Sequence, residues 1–329
     1  MIIDQHNRIH NYLRISLTER CNLRCFYCMP EEGVELAPKS HLMTYEETMG
    51  IAKEFVSLGV NKIRLTGGEP LVRKDVHYII EQLGTLPVDL AITTNGIIVD
   101  RFIDIFKKAG LKSINISLDT LDRDKFAIVT KRDYFNKVLA NIYLLLKEGF
   151  KVKINAVLIN DINLEEITDF IDLAKDYPLQ IQFIEFMPFG GNKWDWDRGI
   201  SQQEILDLVN GFYGLKNVLR LIDKPNDTAV NYKIKDYTGS FAIISSITNP
   251  FCSTCNRIRL TANGHIKNCL FSTRETDLLT PYRNGEDIKP IILENVNSKY
   301  AERGGWNSFE ELADPANHNQ NRSMILIGG

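Results

Sequence analysis

The sequence predicts an α/β protein built on a parallel sheet. Six short apolar runs alternate with longer amphipathic stretches between Tyr12 and about Met187, several of those stretches end at a glycine, and polar turn segments recur at the same end of successive runs. Strand-then-helix repetition of this kind gives a doubly wound sheet or a barrel, complete or partial, and in either case ligands gather at the carboxyl ends of the strands.

The runs expected as strands are Leu13–Leu17, Lys62–Thr66, Leu90–Thr93, Ser113–Leu118, Val152–Leu158 and Gln182–Phe186. Helical periodicity fills Tyr45–Leu58, Val99–Lys108, Phe135–Glu148 and Leu164–Ala174, with Gly59, Gly110 and Gly149 placed as carboxyl caps. Thr66-Gly67-Gly68-Glu69-Pro70 follows the second strand, Thr93-Thr94-Asn95-Gly96 the third, Ser117-Leu118-Asp119 the fourth and Glu185-Phe186-Met187-Pro188 the sixth. Any one is an ordinary turn. Four in phase favour a shared site.

After Gly190-Gly191-Asn192 the pattern changes, and the short alternating segments Asn231–Lys235, Phe241–Ile244, Ile258–Thr261 and His265–Cys269 predict antiparallel hairpins. The boundary is placed near residue 230, with 1–230 as one region and 231–329 as a smaller second one. The stretch Asp314–Arg322, rich in Asn, Asp and Pro, reads as an irregular tail before Ile325-Leu326-Ile327-Gly328-Gly329.

With 329 residues, 44% of them hydrophobic, the chain supports a large core, and a formal net charge of −3 argues against a surface built to bind a nucleic-acid polymer. Asp4, His6, Asn7 and Arg8 occupy the place where a secretory signal would be apolar, and no apolar run reaches membrane-spanning length. The expectation is a soluble, cytoplasmic protein without a membrane partner.

Six cysteines are too few for a disulfide scaffold and fall in two groups, Cys21, Cys25, Cys28 and Cys252, Cys255, Cys269, which points to metal. Cys21-x3-Cys25-x2-Cys28 supplies three corners of a cubane iron–sulfur cluster and leaves its fourth iron open; a zinc site closed by His41 is the alternative. Tyr27 inside the motif suits a stacked purine or plain core packing. In Cys252-x2-Cys255-x13-Cys269 the cysteines precede Arg257 and Arg259, which alternate on a strand and so share one face, where guanidinium forks suit a polyphosphate. Here the alternative is a zinc knuckle completed by His265 with the arginines merely solvated.

Cys21-x3-Cys25-Phe26-Tyr27-Cys28 together with Gly67-Gly68-Glu69-Pro70 resembles the radical S-adenosylmethionine superfamily. Adding the second cysteine group, the Pro250–Arg259 stretch and the closing Gly-Gly, nearly the whole chain from Arg14 to Gly329 resembles the GTP 3′,8-cyclase family of molybdenum-cofactor biosynthesis. The resemblance implies a partial (β/α)6 TIM-like barrel with a smaller C-terminal region, two 4Fe–4S clusters held by the six cysteines, and S-adenosyl-L-methionine bound by Tyr27, Gly68, Ser117 and Met187. It further implies GTP held by Arg14, Arg64, Thr93, Lys153, Arg257 and Arg259, with Ile258 giving backbone between the two arginines. Reductive cleavage of S-adenosylmethionine would yield a radical that takes hydrogen from C3′ of GTP, and the C3′ radical would close onto C8; no side chain is assigned a catalytic role. Gln182 departs from the basic residue often found at its position. By the same resemblance, the Gly-Gly tail reaches the active-site region, a reductant protein and a downstream cyclic pyranopterin monophosphate synthase are partners, and a homodimer is admitted. Two rival readings remain open: a radical peptide maturase, which predicts more than three cysteines in the C-terminal part, and a non-catalytic iron–sulfur or zinc protein.

Overall fold

A computed structural model describes the chain from Met1 to Gly329 except for Glu31, Lys193, Asn307, Phe309, Glu310, Ala313 and Asn319. The six expected strands form as β1 (Tyr12–Ser16), β2 (Lys62–Thr66), β3 (Asp89–Thr94), β4 (Ser113–Ser117), β5 (Lys151–Leu158) and β6 (Gln180–Glu185), paired in chain order and parallel throughout. Between them run α1 (Tyr45–Ser57), α2 (Val76–Leu83), α3 (Ile103–Lys108), α4 (Arg123–Thr130), α5 (Phe135–Lys147) and α6 (Ile167–Asp172).

Local chemistry explains these limits. Thr44 opens α1 with a capping box in which its hydroxyl accepts from the Glu47 N–H and the Glu47 carboxylate accepts from the Thr44 N–H. Helix α5 buries Phe135, Val138, Ile142 and Leu145, a stripe at three- and four-residue spacing that packs on the outer face of the sheet. The expected helices at Val99–Lys108 and Leu164–Ala174 are shorter, because each begins as a separate 3-10 turn, Val99–Arg101 and Leu164–Glu166.

Beyond α7 (Gln202–Tyr213), the chain adds β7 (Val218–Arg220), β8 (Val230–Ile234), β9 (Ser240–Ile244), β10 (Arg257–Leu260), β11 (His265–Lys267) and β12 (Thr276–Asp277). The β8–β9 and β10–β11 pairs are antiparallel, as the sequence predicts. They do not stand apart from the first six strands, however. Strand β9 pairs parallel with β6 and β10 pairs parallel with β1, giving one twelve-stranded sheet in the order β12-β11-β10-β1-β2-β3-β4-β5-β6-β9-β8-β7. Burial explains the pairing: Phe241, Ala242 and Ile243 of β9 and Ile258 and Leu260 of β10 are fully buried, so neither strand can leave its second hydrogen-bonding edge open. The sheet curls round a single cavity lined from β1 through β6 and from β9 and β10, which is the partial barrel.

A second apolar cluster, Ile159, Phe186, Phe189, Trp194, Ile247, Phe271, Leu312 and Ile327, caps the carboxyl ends of the strands and packs against Tyr27, Met187 and Cys269. The 314–322 stretch contains a helical turn, Pro315–His318, and Asn319 within it lies outside the described residues. A further turn, Met324–Ile327, carries the chain back towards β1.

Asn163 holds two of these strand ends together. It is fully buried, accepts from the Ile159 N–H at 2.8 Å, and donates to the carbonyls of Asp119 at 2.6 Å and Val157 at 2.8 Å. Asn163→Leu keeps the volume and leaves three buried backbone groups unpaired, so denaturant unfolding should show a loss of about 3 kcal/mol; an unchanged midpoint would refute this account.

Candidate functional site

The cavity has a volume of about 570 Å³. At its carboxyl-end mouth lies the loop Cys21–Cys28, which follows β1. The Arg24 and Phe26 N–H groups donate to the Thr130 and Val129 carbonyls at the end of α4, and the Cys28 and Met29 N–H groups both donate to the Cys25 carbonyl, folding the loop over itself. Cys21 Sγ receives the Leu23 N–H at 3.4 Å and the Asn95 amide at 3.9 Å. All three cysteines line the cavity.

Three buried carboxylates tie this end together. Glu69 accepts from the N–H groups of Leu71 and Asn95 and from the Thr94 hydroxyl, linking the end of β2 to the end of β3; burial nevertheless pushes its carboxyl up to about 7. Asp119 accepts the Tyr27 hydroxyl at 2.6 Å and the Val157 N–H at 2.9 Å, and burial raises it to about 6. Glu185 accepts from the Ile247 and Thr248 N–H groups and is likewise raised by burial. The sequence marks all three as acids in strand-end segments, but their pairing partners are remote in the chain and carry no local signal.

Gly67 and Gly68 press against the cysteine loop. A Cβ on Gly67, whose φ is +156°, would meet the Thr18 carbonyl oxygen at 2.7 Å, and one on Gly68 would meet that of Arg20 at 2.5 Å. Tyr27, Gly68, Ser117 and Met187 all line the cavity beside the first cysteines.

Arg14, Arg64, Thr93, Lys153, Arg257 and Arg259 line the same cavity. The parallel register puts Arg14 directly opposite Arg64 on one side and Arg259 on the other, so three guanidinium-bearing residues stand in one row across β10, β1 and β2. Arg64 donates to the Tyr12 hydroxyl at 2.7 Å and the Ile92 carbonyl at 2.8 Å, and its contact with Thr93 Oγ1 is 3.3 Å. Arg14 donates to Gly329 O at 2.6 Å and Arg259 to Gly328 O. Among the described residues, none of the four arginines nor Lys153 lies within ion-pair distance of a carboxylate side chain, and buried Arg14 Nε and Arg257 Nη2 have no partner.

The titrating groups register this excess. Burial alone would push the Tyr12 phenol up, but Arg64, Arg14 and Lys62 pull it down to about 7. Burial lowers Lys153 to about 8, with Arg64 next in effect, and burial with Arg14 and Arg257 lowers Arg259 to about 9. Ile258 differs from its neighbours: it is fully buried, pairs with Leu13 and is absent from the cavity lining, so only its backbone lies between the arginines. Gln182, opposite Asn155 on β6 and outside the arginine row, is buried and neutral and accepts from the Asn115 amide at 3.4 Å.

Gly328 sits at φ +79°, where a Cβ would meet Thr66 Oγ1 at 2.7 Å and Ser16 Cβ at 2.9 Å, and Gly329 lines the cavity. The tail therefore enters the site, and only glycine fits there.

Cys252, Cys255 and Cys269 are half-buried and outside the lining, while their chain neighbours Phe251, Arg257 and Leu270 are part of it. Cys255 receives the Lys299 ammonium at 3.4 Å and Cys252 the Arg303 N–H at 3.5 Å. Burial would raise the Cys255 thiol, but Arg257 and Lys299 bring it down to about 6.

The donor sets fit clusters. Burial pushes Cys21 up to about 11 and Cys28 up to about 12, and puts Cys25 well above its ordinary range, with neighbouring thiols adding to the rise for Cys25 and Cys28. Three half-buried thiols whose ionisation is opposed by desolvation and by one another suit a shared cationic core. Among the described residues no three or more Cys, His, Asp or Glu side chains converge on a point that could hold a metal ion, and His41 is exposed while His265 Nδ1 stands 3.2 Å from the Asn263 carbonyl. This arrangement gives the zinc readings no fourth ligand.

Residues 15–174 match the model of the radical SAM superfamily and residues 179–304 that of Molybdenum Cofactor Synthesis C. The chain is 46% identical over its whole length to "GTP 3′,8-cyclase, mitochondrial" of Arabidopsis thaliana, covering 84% of that protein, and 41% identical to "GTP 3′,8-cyclase" of Syntrophomonas wolfei, with both chains fully covered. Against "Molybdenum cofactor biosynthesis protein moc-5" of Caenorhabditis elegans it is 46% identical with 91% of this chain covered, but spans about half the length of that relative. Among solved structures, Streptococcus suis SuiB bound to S-adenosylmethionine superposes with a TM-score of 0.63 at 15% identity, covering 90% of this chain and 70% of that one, a likeness of fold. A parallel partial barrel with three cysteines at its mouth, a second cysteine triad and these relatives lead to one conclusion: the chain belongs to the GTP 3′,8-cyclase family of the radical S-adenosylmethionine superfamily.

Proposed function

We propose that this protein converts GTP to (8S)-3′,8-cyclo-7,8-dihydroguanosine 5′-triphosphate, an early step of molybdenum-cofactor biosynthesis, using S-adenosyl-L-methionine and two 4Fe–4S clusters. The observation that carries the reading is the in-register row Arg259, Arg14, Arg64, with no Asp or Glu side chain within ion-pair distance among the described residues, in one cavity with the first cysteine triad. Strands in a sheet lie about 4.8 Å apart, so like charges carried in register on adjacent strands repel one another. A triphosphate reverses the sign of that interaction.

In this reading Cys21, Cys25 and Cys28 hold the first cluster and Cys252, Cys255 and Cys269 the second, the region 1–230 forming the cofactor-bearing barrel and 231–329 presenting the second triad. A cluster held by Cys21, Cys25 and Cys28 would supply the electron for reductive cleavage of S-adenosylmethionine, the chemistry from which hydrogen abstraction at C3′ of GTP would follow. The chain's own contribution is placement. Tyr27, fixed by Asp119, and Ser117 and Met187 line the cofactor end; the Gly68 backbone lies close enough to offer a polar edge. Arg14, Arg64, Thr93, Lys153, Arg257 and Arg259 hold the triphosphate end, with Ile258 giving backbone. The Gly328 and Gly329 oxygens orient Arg259 and Arg14 towards it. Such positioning is worth more than any single contact, because the reacting carbons must be within near-attack distance. Gln182 leaves its strand without a positive charge, so the phosphate contacts fall on other strands.

The cytoplasm, whose reducing environment protects two oxidisable clusters, is the compartment we favour; no described helix is long and apolar enough to cross a membrane. A reductant protein and a cyclic pyranopterin monophosphate synthase downstream complete the reading. Exposed Phe212, Leu215, Leu219 and Ile222 at the β7 edge favour a homodimer.

Anaerobic reconstitution tests the function: about eight irons per chain, as two cubane clusters require, and 5′-deoxyadenosine formation from S-adenosylmethionine and dithionite that depends on GTP. Colourless zinc protein, or cleavage indifferent to GTP, would sink the reading. Lys153 titrates near 8 in the free protein and is charged below that, so GTP affinity should fall as pH rises through 8. Lys153→Met should bind GTP about tenfold more weakly at pH 7, a loss of about 1.4 kcal/mol, and flatten the pH profile in equilibrium binding. Gly328→Ala places a side chain against Thr66 and in left-handed backbone, so kcat/KM should drop at least about tenfold, since the strain alone costs about 1–2 kcal/mol, with iron content unchanged. Full activity of that variant would remove the tail from the account.

A further inference from the structure

The segment after α9 (Lys289–Asn297) wraps the second cysteine triad and has no role in the reading above. Lys299 is 3% exposed, and its ammonium donates to Cys255 Sγ at 3.4 Å and to the Arg257 carbonyl at 3.1 Å. Four residues on, the Arg303 N–H donates to Cys252 Sγ at 3.5 Å. Among the described residues Lys299 has no carboxylate within ion-pair distance, so the ammonium is buried against sulfur and a carbonyl alone. A buried ammonium of this kind is expensive unless something anionic faces it.

The backbone that carries Lys299 is fixed from the other end of the chain. Residues Ile3 and Ile9 bridge antiparallel, the turn between them presents Asp4, His6 and Arg8, and His10 follows directly. The Lys299 carbonyl accepts from Gln5 Nε2 at 3.1 Å and stands 3.1 Å from His6 Nε2. Arg8, held by Asp4, donates to the carbonyls of Tyr300, Ala301 and Cys252 at 2.6–2.8 Å. His10 Nε2 closes on the same Asp4 at 3.0 Å. One guanidinium thus couples the Lys299 segment to the cysteine loop itself.

We propose that Lys299 is a positioning residue of the second triad, placing a fixed positive charge on the Cys255 sulfur that raises the potential at which a cluster held there accepts an electron, with the Asp4–Arg8 turn as its anchor. The proposal rests on the reading that Cys252, Cys255 and Cys269 hold a cluster. Hydrogen bonds and positive charge at cluster sulfurs favour the more negative, reduced state, which fixes the sign.

The test is a redox titration of the full-length protein carrying both clusters, followed by EPR, with the second cluster's wave identified as the one missing from Cys252→Ser. In Lys299→Met that wave should move to more negative potential while the other stays, and Lys299→Arg should return it towards the wild-type value. Should Lys299→Met lose iron from about eight to about four per chain, retention of iron in Lys299→Arg supports the same role, since charge is what the two cationic residues share. An unmoved wave at full iron content, or an arginine variant that behaves like the methionine one, overturns the proposal. Wild-type protein that takes up only about four irons instead overturns the second-cluster reading, leaving the two failures distinguishable.

Discussion

Like charges held side by side on neighbouring strands are the constraint on which the site depends. Arg259, Arg14 and Arg64 occupy one register, and the sheet can keep them there only because its apolar partners are strong: Leu13, Ile15, Ile63, Leu65, Ile258 and Leu260 on the opposite face are fully buried. Partial compensation comes from neutral oxygens, the Tyr12 hydroxyl and the Ile92 and Gly328 carbonyls, which accept hydrogen bonds without cancelling the charge. The downward pull of Arg64, Arg14 and Lys62 on Tyr12, against the effect of burial, is the mark of that uncancelled positive field.

The opposite solution holds the other end of the barrel. Glu69 after β2, Asp119 after β4 and Glu185 at the end of β6 each reach to the next strand end and accept its backbone N–H groups. Each joins two loops that would otherwise be independent, and each is buried, so the loops cannot part without leaving a carboxylate or an amide unpaired. Tyr27 and Cys21 inherit their positions from this framework, through Asp119 and through Asn95.

Much of this was legible in the sequence because its signals are local. Strand periodicity, glycine caps and cysteine spacing depend on residues a few positions apart, and they placed β1 to β6 and both triads; the turn segments placed the ligand end. Pairing across long separations has no such signature. Nothing within Phe241–Ile244 or Ile258–Thr261 tells that β9 lies on β6 and β10 on β1, so two hairpins read as a separate unit close both sides of the sheet. Lys299 and Arg8 were equally silent, since a lysine after a helix and an arginine near the amino end look like solvated charges until their partners some 40 and 240 residues away are known. Ile258 shows the converse: alternation puts its two arginine neighbours on one face, and the same alternation turns its own side chain into the core.

The two triads sit in unlike electrostatic surroundings. Near the first, Asp119 and Glu69 add negative charge to thiols already raised by burial, and the donors to Cys21 are neutral. Near the second, Arg257 and Lys299 are the dominant neighbours of Cys255, and the Arg303 N–H serves Cys252. Negative surroundings favour an oxidised cluster and positive ones a reduced cluster, so on the proposed reading a cubane at Cys21–Cys28 would be harder to reduce than one at Cys252–Cys269. A low potential is what cleavage of a sulfonium demands of its electron donor. A higher one beside Arg257 goes with anion binding, because charges that would hold a triphosphate would also stabilise added electrons.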